Sequence, residues 1–373
     1  MLHEVGLDDI RPIAIGAGIL GTGGGGNPYL GSLQLRNEIA RRGPQKIINP
    51  MHLDDDTRIV IVGGIGAPTV SIEKLSEGTE MLRAMRRLEA HLGYPFDAVA
   101  IAEIGGSNSM HPMIAGLQAG LPTIDSDGMG RAFPEIQMSS FLFDGAVFAA
   151  PLAMVDAGDN AIVIPQAATN IWAERMARNI AVSMGARAGL AGFVMTGAQL
   201  KATGIHYTLT LAHRLGLRVI RAQRDRDDVP QVAAEMLSGR VVFRGKISDV
   251  ERRTTKGFAR GTVTVQSFVG DDELRIDFQN EFLIAYHNGS VVATVPDLIC
   301  IVTDETGEPV STEMLRYGVR VAVLTVPAPQ KLKTEAALRF VGPRAFGYDV
   351  AFRPLPGESI GIEPPTLELQ TNQ

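Results

Sequence analysis

Thr57-Arg58-Ile59-Val60-Ile61-Val62 is a run of mostly apolar, β-branched residues that ends at Gly63-Gly64-Ile65-Gly66. Such a run is typical of a strand buried on both faces, and the glycines after it predict a turn. The chain continues with two more apolar runs, each preceded by a segment with helical spacing, at 79–92, 97–103, 113–119 and 121–125. Strand, helix, strand, helix, strand in this order predicts a parallel sheet with helical crossovers, and hence an α/β fold.

A glycine run precedes this sheet, in the stretch Leu20-Gly21-Thr22-Gly23-Gly24-Gly25-Gly26-Asn27-Pro28-Tyr29. Helical spacing on both sides predicts helices at 8–20 and 28–42. A dinucleotide-binding glycine motif follows a strand, so a position between two helices argues against a nicotinamide cofactor. Free N–H groups at the start of the second helix predict a cradle for a polar or anionic ligand, formed by Gly23, Gly24, Gly25, Gly26 and the helix cap Asn27. The alternative is a tight turn without a ligand.

From Arg240 onwards the chain consists of short alternating segments separated by turns rich in Gly and Asp. This pattern is typical of β-strands, and Asn288-Gly289 between two of the segments is a strong hairpin signal. The 373 residues exceed what one hydrophobic core usually serves. We therefore predict an α/β domain at 1–239 and a β-rich domain at 240–373.

The composition is that of an ordinary globular protein, with 45% hydrophobic and 20% charged residues. The formal net charge of -6 and the lack of a basic cluster predict that nucleic acid is not a partner. The sequence shows no long apolar run and no N-terminal signal pattern, so we expect a cytoplasmic protein with no membrane partner. The single cysteine, Cys300, excludes an intrachain disulfide and a multi-cysteine metal site.

Polar side chains follow two of the predicted strands at the points where the strands end. They are Glu103, Ser107, Ser109, His111, Asp125 and Asp127. Ligands of parallel sheets bind beyond the carboxyl ends of the strands, where these residues converge. The functional site is therefore expected at this edge of the sheet.

Five blocks of the chain carry a family resemblance: ILGTGGGGNPY (19–29), EIGGSNSMHP (103–112), LPTIDSDGMGRAFPE (121–135), VPDLICIV (295–302) and GPRAFGYD (342–349). They resemble the S-methyl thiohydantoin desulfurase family, whose members are often described as hydantoinase-like. The resemblance covers essentially the whole chain. It implies an N-terminal α/β domain, a C-terminal β-rich domain and a site between them. The implied reaction is hydrolysis of a 5-substituted S-methyl thiohydantoin, or a related cyclic ureide or thioureide, to a hydantoin and methanethiol.

That reaction needs an activated water or nucleophile, hydrogen-bond donors for charge that develops on the ring, and an acid for the departing sulfur. His111 opens a predicted helix and is a candidate general base or metal ligand, or else a histidine bonded to backbone. Asp125 and Asp127 are two residues apart, so they project to the same side of an extended segment. They can divide acid and base roles, bind a cation, or cap the following turn.

Glu103 can hold a ring N–H or protonate the leaving group, or it can bond the neighbouring glycine turn. Arg131 can bind a carboxylate on the 5-substituent through its planar guanidinium, or pair with Asp127. Three further residues are candidate hydrogen-bond donors to the substrate, and equally suit ordinary loop roles: Ser107, Ser109 and Thr196.

Cys300 offers a covalent alternative, in which its thiolate displaces methanethiol and water then releases the hydantoin. Its apolar setting, Leu298 to Val302, is instead typical of a small buried hydrophobe. One divalent metal ion at His111 with an acidic residue is a further alternative, although the chain has no HxH or HExxH pattern. The metal and the oligomeric state, including a homo-oligomer, stay open.

A second class of function is a non-catalytic accessory or binding subunit of a hydantoinase- or oxoprolinase-type complex. Co-purification with a larger ATP-dependent partner, together with no turnover in isolation, would indicate that class.

Overall fold

Two sheets form the framework, and the computed structural model describes residues 1–66, 76–255 and 258–357. The helices of these residues are α1 (Ile10–Leu20), α2 (Pro28–Arg42), α3 (Glu80–Leu92), α4 (His111–Ala119), α5 (Asn170–Ser183), α6 (Gly197–Thr203), α7 (Thr208–Asp225), α8 (Val229–Met236) and α9 (Glu335–Val341). The strands are β1 (Glu4–Val5), β2 (Gln45–Ile48), β3 (Arg58–Gly66), β4 (Ala98–Ile101), β5 (Thr123–Asp127), β6 (Leu152–Val155), β7 (Ala161–Ile164), β8 (Arg187–Thr196), β9 (Ile205–His206), β10 (Arg240–Thr255), β11 (Phe258–Ser267), β12 (Glu273–Gln279), β13 (Glu281–His287), β14 (Ser290–Thr294), β15 (Leu298–Thr303) and β16 (Arg320–Val326). The last part of the predicted second domain, 358–373, lies outside the described residues.

The first sheet has the strand order β1-β2-β5-β4-β3-β8-β6-β7, with β9 paired to β5. Its centre is parallel, since β2, β5, β4 and β3 run in one direction. α3 connects β3 to β4, and α4 connects β4 to β5. This confirms the predicted α/β fold with helical crossovers. The remaining strands pair antiparallel with their neighbours, so the complete sheet is mixed; they are β1, β6, β7, β8 and β9.

β3 includes Gly63 to Gly66, the residues for which the sequence predicted a turn. Gly63 to Gly66 pair with residues 190 to 187 of β8. The turn prediction was wrong because β8, distant in sequence, supplies a ladder of hydrogen bonds that outweighs the local preference of glycine. Three of the four residues lack side chains, so the end of β3 presents bare backbone at the edge of the sheet.

The second sheet is antiparallel throughout, with the order β14-β13-β12-β11-β10-β16-β15. β13 and β14 near one edge pack against β15 at the other edge, so the sheet curls. This confirms the predicted β-rich C-terminal region. Asn288 and Gly289 connect β13 to β14 with φ values of 47° and 80°, as a two-residue hairpin turn requires.

Helices α1 and α7 cross at two glycines. A Cβ at Gly16 would lie 1.8 Å from the carbonyl oxygen of Ala212, and one at Gly216 would lie 1.8 Å from that of Pro12. The two backbones therefore touch, which only glycine permits. α1 also packs against β15 of the second sheet. As a result, the glycine run that follows α1 emerges beside the second sheet.

The side chain of Arg131 joins the two sheets. It is fully buried, and its Nη1 donates hydrogen bonds to the carbonyl oxygens of Pro296 (3.3 Å) and Asp297 (3.1 Å). Its Nη2 donates to Thr22 Oγ1 (2.6 Å) and to the carbonyl oxygen of Phe282 (3.1 Å). One guanidinium thus binds the glycine run and two segments of the β-rich region at once.

We expect Arg131→Met to lower the free energy of unfolding by about 3 kcal/mol, because several buried acceptors then lose their donor. Arg339→Met is the matched control, since Arg339 is exposed and, among the described residues, pairs only with Glu335 (3.0 Å) on the surface of α9. Exposed ion pairs contribute about 0–1 kcal/mol. Urea unfolding measures both variants, and equal transition midpoints would show that Arg131 does not hold the junction.

Candidate active site

A cavity of about 130 Å³ lies where the carboxyl ends of β3 and β4 meet the start of β13. Its polar groups come from both sheets, with Glu103 on the first side and Asn280 and Glu281 on the second. Its apolar walls include Ile61, Met129, Phe133, Leu190 and Phe193. A few polar groups in a largely apolar cavity are typical of a small-molecule site.

Glu103 follows β4 and is buried. Its Oε1 accepts a hydrogen bond from Asn108 Nδ2 (2.5 Å), and its Oε2 accepts one from the N–H of Phe133 (3.1 Å). Burial raises the pKa of Glu103 to about 7, because the loss of hydration outweighs these bonds and the nearby charges of Arg131 and Arg178. Glu103 therefore exchanges its proton near neutral pH, where general acid–base catalysts operate.

Glu281 is the first residue of β13 and lines the same cavity from the second sheet. It is only 3% exposed, and its Oε2 is buried without a hydrogen-bond partner in the part of the chain that the structure describes. Burial, reinforced by the negative charge of Glu103, raises the pKa of Glu281 well above its usual value. A buried carboxyl with an unpaired oxygen marks a place where a ligand can complete the hydrogen bonding.

The first half of the glycine run, residues 22–24, is hydrogen-bonded to the second sheet and packs closely against it. The carbonyl of Thr22 accepts a hydrogen bond from the N–H of Phe282 (2.8 Å), and Gly23 accepts one from Thr312 (2.9 Å). A Cβ at Gly24 would lie 2.1 Å from Glu281 Oε1. Gly23 and Gly24 thus hold the second sheet close and do not line the cavity.

The second half of the run does line the cavity, through Gly25 and Gly26. Among the described residues, no hydrogen-bond partner is found for the N–H groups of these two glycines. Asn27 caps α2 as predicted, since its Oδ1 accepts from the N–H of Tyr29 (2.9 Å). The hypothesis of a ligand cradle therefore narrows to Gly25 and Gly26.

A second cavity of about 90 Å³ adjoins the first and contains His111 and Arg187. The two cavities share a wall, which includes Gly25, Gly26, Gly64, Gly66 and Asn108. The Oδ1 of Asn108 lies 2.9 Å from His111 Nδ1, while its Nδ2 donates to Glu103. Because the Oδ1 of Asn108 can only accept a hydrogen bond, the neutral imidazole carries its proton on Nδ1. Burial, and then the positive charge of Arg187, lower the pKa of His111 to about 4, so the ring is neutral at pH 7.

Two sequence profiles match the chain, that of the S-Me-THD-like N-terminal domain over residues 8–166 and that of the S-Me-THD-like C-terminal domain over residues 168–355. The chain belongs to the S-Me-THD-like family. The resemblance to S-methyl thiohydantoin desulfurases is thereby confirmed, and the family name suggests an enzyme. The two profiles meet near residue 167, whereas the second sheet begins at Arg240. Our division of the chain between 239 and 240 stays a prediction.

The fold of this S-Me-THD-like chain is similar to the crystal structure of a structural genomics target from Chromobacterium violaceum. The TM-score is 0.79 and the sequence identity 22%, over 95% of this chain and 100% of that one. At this identity the likeness shows the fold alone. No curated protein matches the chain.

Asp125 and Asp127 lie in β5 and line neither cavity. Asp125 Oδ1 accepts a hydrogen bond from the N–H of Leu209 (2.9 Å) at the start of α7. Asp127 Oδ2 accepts from the N–H groups of Ile104 (2.8 Å) and Gly130 (2.9 Å). Asp127 thus caps the turn that follows it, as in the capping alternative, whereas Asp125 accepts from backbone N–H groups of α7, which is distant in sequence. A register shift in β5 also breaks the regular alternation on which the expectation of a shared side depended.

Arg131 and Cys300 also lie away from the two cavities. The guanidinium of Arg131 is occupied at the junction of the sheets and does not pair with Asp127. Cys300 is 1% exposed within β15, and burial raises the pKa of its thiol to about 12. A thiol in this state is a weak nucleophile, so the buried-hydrophobe alternative describes its position.

The predicted hydroxyl donors are dispersed. Ser107 Oγ donates to the carbonyl of Asn27 and lines the second cavity. Ser109 is buried and donates to the carbonyl of Gly106 (2.7 Å). Thr196 caps α6 and pairs with Arg58 at the amino end of β3. Because β8 runs antiparallel, its carboxyl end lies at the edge of the sheet opposite the cavities.

Sequence reasoning missed Asn108, Arg178, Arg187, Asn280 and Glu281 as residues of the site. Asn108 lies between Ser107 and Ser109, in a loop that the sequence already placed at the predicted site. Arg187 reaches the cavity because the start, not the end, of β8 lies at that edge. Asn280 and Glu281 form a polar pair between apolar strands, which is the one local signal that marks them.

Within residues 1–66, 76–255 and 258–357, no group of three or more His, Cys, Asp or Glu side chains has the arrangement of a metal site. The use of a divalent metal, the oligomeric state and the cytoplasmic location stay predictions. In the same ranges, every helix is too short or too polar to cross a membrane.

The raised pKa of Glu103 predicts a pH dependence of stability. The folded protein keeps a proton that the unfolded chain releases near pH 4.5, so stability decreases as pH rises from about 4.5 to 7. Relative to Glu103→Gln, the wild type is expected to lose about 3 kcal/mol across this range. Urea unfolding at pH 5 and pH 8 measures the difference, with Glu335→Gln on the surface of α9 as control. A constant difference between wild type and Glu103→Gln would contradict the assignment.

Proposed function

We propose that this protein is a hydrolase that removes the methylthio group from a 5-substituted S-methyl thiohydantoin or a related cyclic ureide. The products are a hydantoin and methanethiol. The observation that carries the proposal is Glu103, a carboxyl group with a pKa of about 7 in a cavity lined by both halves of an S-Me-THD-like chain. Such a group can accept a proton from water and return it to a leaving group within one turnover.

The walls of the first cavity suit a flat ring with a thioether. Met129, Phe133 and Leu190 offer apolar contacts for the ring faces and the methylthio group. Glu103, Glu281 and Asn108 offer polar contacts for the ring nitrogens and the carbonyl oxygen. This division of polar and apolar surface favours a small heterocycle over a long or charged polymer.

The second cavity suits the substituent at ring position 5. Arg187 lines this cavity and carries a positive charge, which also interacts with Glu80, and the N–H groups of Gly25 and Gly26 belong to the wall that the two cavities share. The neutral His111 adds no charge of its own. A polar or anionic substituent fits this cavity best, and Arg187 takes the role that the sequence suggested for Arg131.

The proposed reaction begins with water attacking the ring carbon that bears sulfur. A carboxylate of the cavity accepts a proton from this water, and hydrogen-bond donors stabilise the charge that develops on the ring nitrogen. The ring nitrogen gains a proton and the new hydroxyl loses one, so that departure of sulfur forms the new carbonyl of the hydantoin. The thiolate receives its proton from the carboxyl group, and methanethiol leaves.

Glu103→Gln is expected to lower kcat for methanethiol release by about 100-fold or more, because an amide cannot exchange the proton. A thiol reagent and quantification of the hydantoin measure turnover of a 5-substituted S-methyl thiohydantoin. Glu335→Gln on the surface is the matched control and retains full activity. Cys300→Ala is expected to retain activity as well.

Two outcomes would contradict the proposal. Loss of turnover in a folded Cys300→Ala variant would favour the covalent route instead. Absence of turnover in the wild type alone, with turnover restored by a co-purifying ATP-dependent partner, would favour the accessory-subunit class.

A further inference from the structure

Glu281 is a buried carboxyl that we did not predict to be part of the site from the sequence. Its Oε2 has no hydrogen-bond partner among the described residues, although the residue is 3% exposed and borders the cavity. Leaving such a group unpaired costs about 1–3 kcal/mol, so its retention inside the fold requires a compensating role. Glu103 borders the same cavity from the first sheet.

Neither nearby guanidinium forms an ion pair with these carboxyls within the described chain. Arg131 gives its Nη donors to Thr22 and to three backbone carbonyls. Arg178 donates to Glu174 (2.8 Å) and to the carbonyls of Pro134 (2.9 Å) and Gly66 (3.3 Å).

The charges of Arg131 and Arg178 favour the ionised form of both carboxyls, but the loss of hydration outweighs them. Glu135 lines the cavity and accepts a hydrogen bond from Gln137. His111, beyond Asn108, is neutral. Two buried carboxyl groups that line one small cavity and form no direct ion pair within the described residues are costly to ionise together, since the charge of Glu103 also raises the pKa of Glu281.

We propose that Glu103 and Glu281 form a carboxyl dyad that holds one proton and catalyses both proton transfers of the hydrolysis, one carboxyl coming from each sheet. The inference rests on the proposed function for its substrate. The pairing of the two groups is a property of the free protein and can be tested without any substrate.

The dyad accounts for every proton of the reaction. Water forms a bond from oxygen to the ring carbon while the ionised glutamate takes one of its protons and the protonated glutamate gives its own proton to the ring nitrogen. In the second step the carbon–sulfur bond breaks and the thiolate takes the proton from the first glutamate. The new hydroxyl gives its proton to the second glutamate, which forms the carbonyl. The dyad returns to its initial state with one proton.

Gly24 positions Glu281 in this arrangement. A Cβ at Gly24 would lie 2.1 Å from Glu281 Oε1 and 2.6 Å from its Cδ. The φ angle of Gly24 is not in the positive region, so alanine is compatible with the backbone there. Gly24→Ala therefore displaces the carboxyl of Glu281 without removing it.

The first experiment titrates the carboxyl groups by NMR of protein labelled with ¹³C at glutamate Cδ. In the wild type the pair is expected to lose its two protons in separate steps, as coupled acids do. When either residue is replaced by Gln, the remaining carboxyl loses its proton in a single step. The midpoint of this step lies between the two wild-type midpoints, about 1 pH unit or more from each of them. Glu273→Gln, at the exposed start of β12, leaves both steps unchanged. If Glu103 titrates identically in the wild type and in Glu281→Gln, the dyad is disproved.

The second experiment measures methanethiol release against pH. Glu281→Gln is expected to lower kcat by about 100-fold or more and to remove one limb of the profile. Gly24→Ala is expected to lower kcat at least about 10-fold with little change in KM. Glu281→Asp supplies a second variant if the amide perturbs folding. A folded Glu281→Gln variant with the rate and pH profile of the wild type would overturn the catalytic role. Failure of the wild type to release methanethiol would instead refute the proposed function, while the NMR titration still decides the dyad.

Discussion

The fold depends on burying the guanidinium of Arg131 at the place where two sheets meet. Arginine cannot lose its charge at low cost, so the surrounding chain must supply acceptors in fixed positions. Thr22 of the glycine run, Phe282 of β13 and the segment before β15 supply them. The same interaction that joins the sheets therefore determines where the glycine run and the start of β13 lie. Both of these segments are walls of the cavity.

The glycine run works as a spacer between the sheets as well as a wall. Its first half approaches β13 so closely that an added side chain would displace a residue of β13. Its second half contributes two residues to the cavity wall, and their N–H groups have no hydrogen-bond partner among the described residues. As a consequence, the carboxyl of Glu281 packs against the backbone of Gly24 and is buried from solvent. Burial dominates the electrostatics of the site as a result. It raises the pKa values of Glu103 and Glu281 and lowers that of His111, although two arginines lie close by.

Local sequence signals were sufficient where a structure depends on near neighbours. The helices on both sides of the glycine run, the cap at Asn27 and the hairpin at Asn288-Gly289 all occur as predicted. Local sequence signals were insufficient where pairing with a distant strand decides the local structure. Gly63 to Gly66 extend a strand because β8 pairs with them, and Thr196 lies at the wrong edge because β8 runs antiparallel. Asp125 and Asp127 have the residue type and spacing of a catalytic pair, yet their carboxylates bond backbone N–H groups.

The sequence by itself determined the α/β and β-rich classes and the family, and it placed one candidate site residue, Glu103, at the end of a strand. Periodicity, caps and strand order are encoded within short stretches, so they can be read without a structure. Only the tertiary structure decided that Glu281, 178 positions further along by residue number, lines the same cavity as Glu103. It also decided that Arg131 and Cys300 are buried away from that cavity. The reason is physical: the pKa of a carboxyl and its partners depend on burial and on charges that the fold brings together from distant parts of the chain.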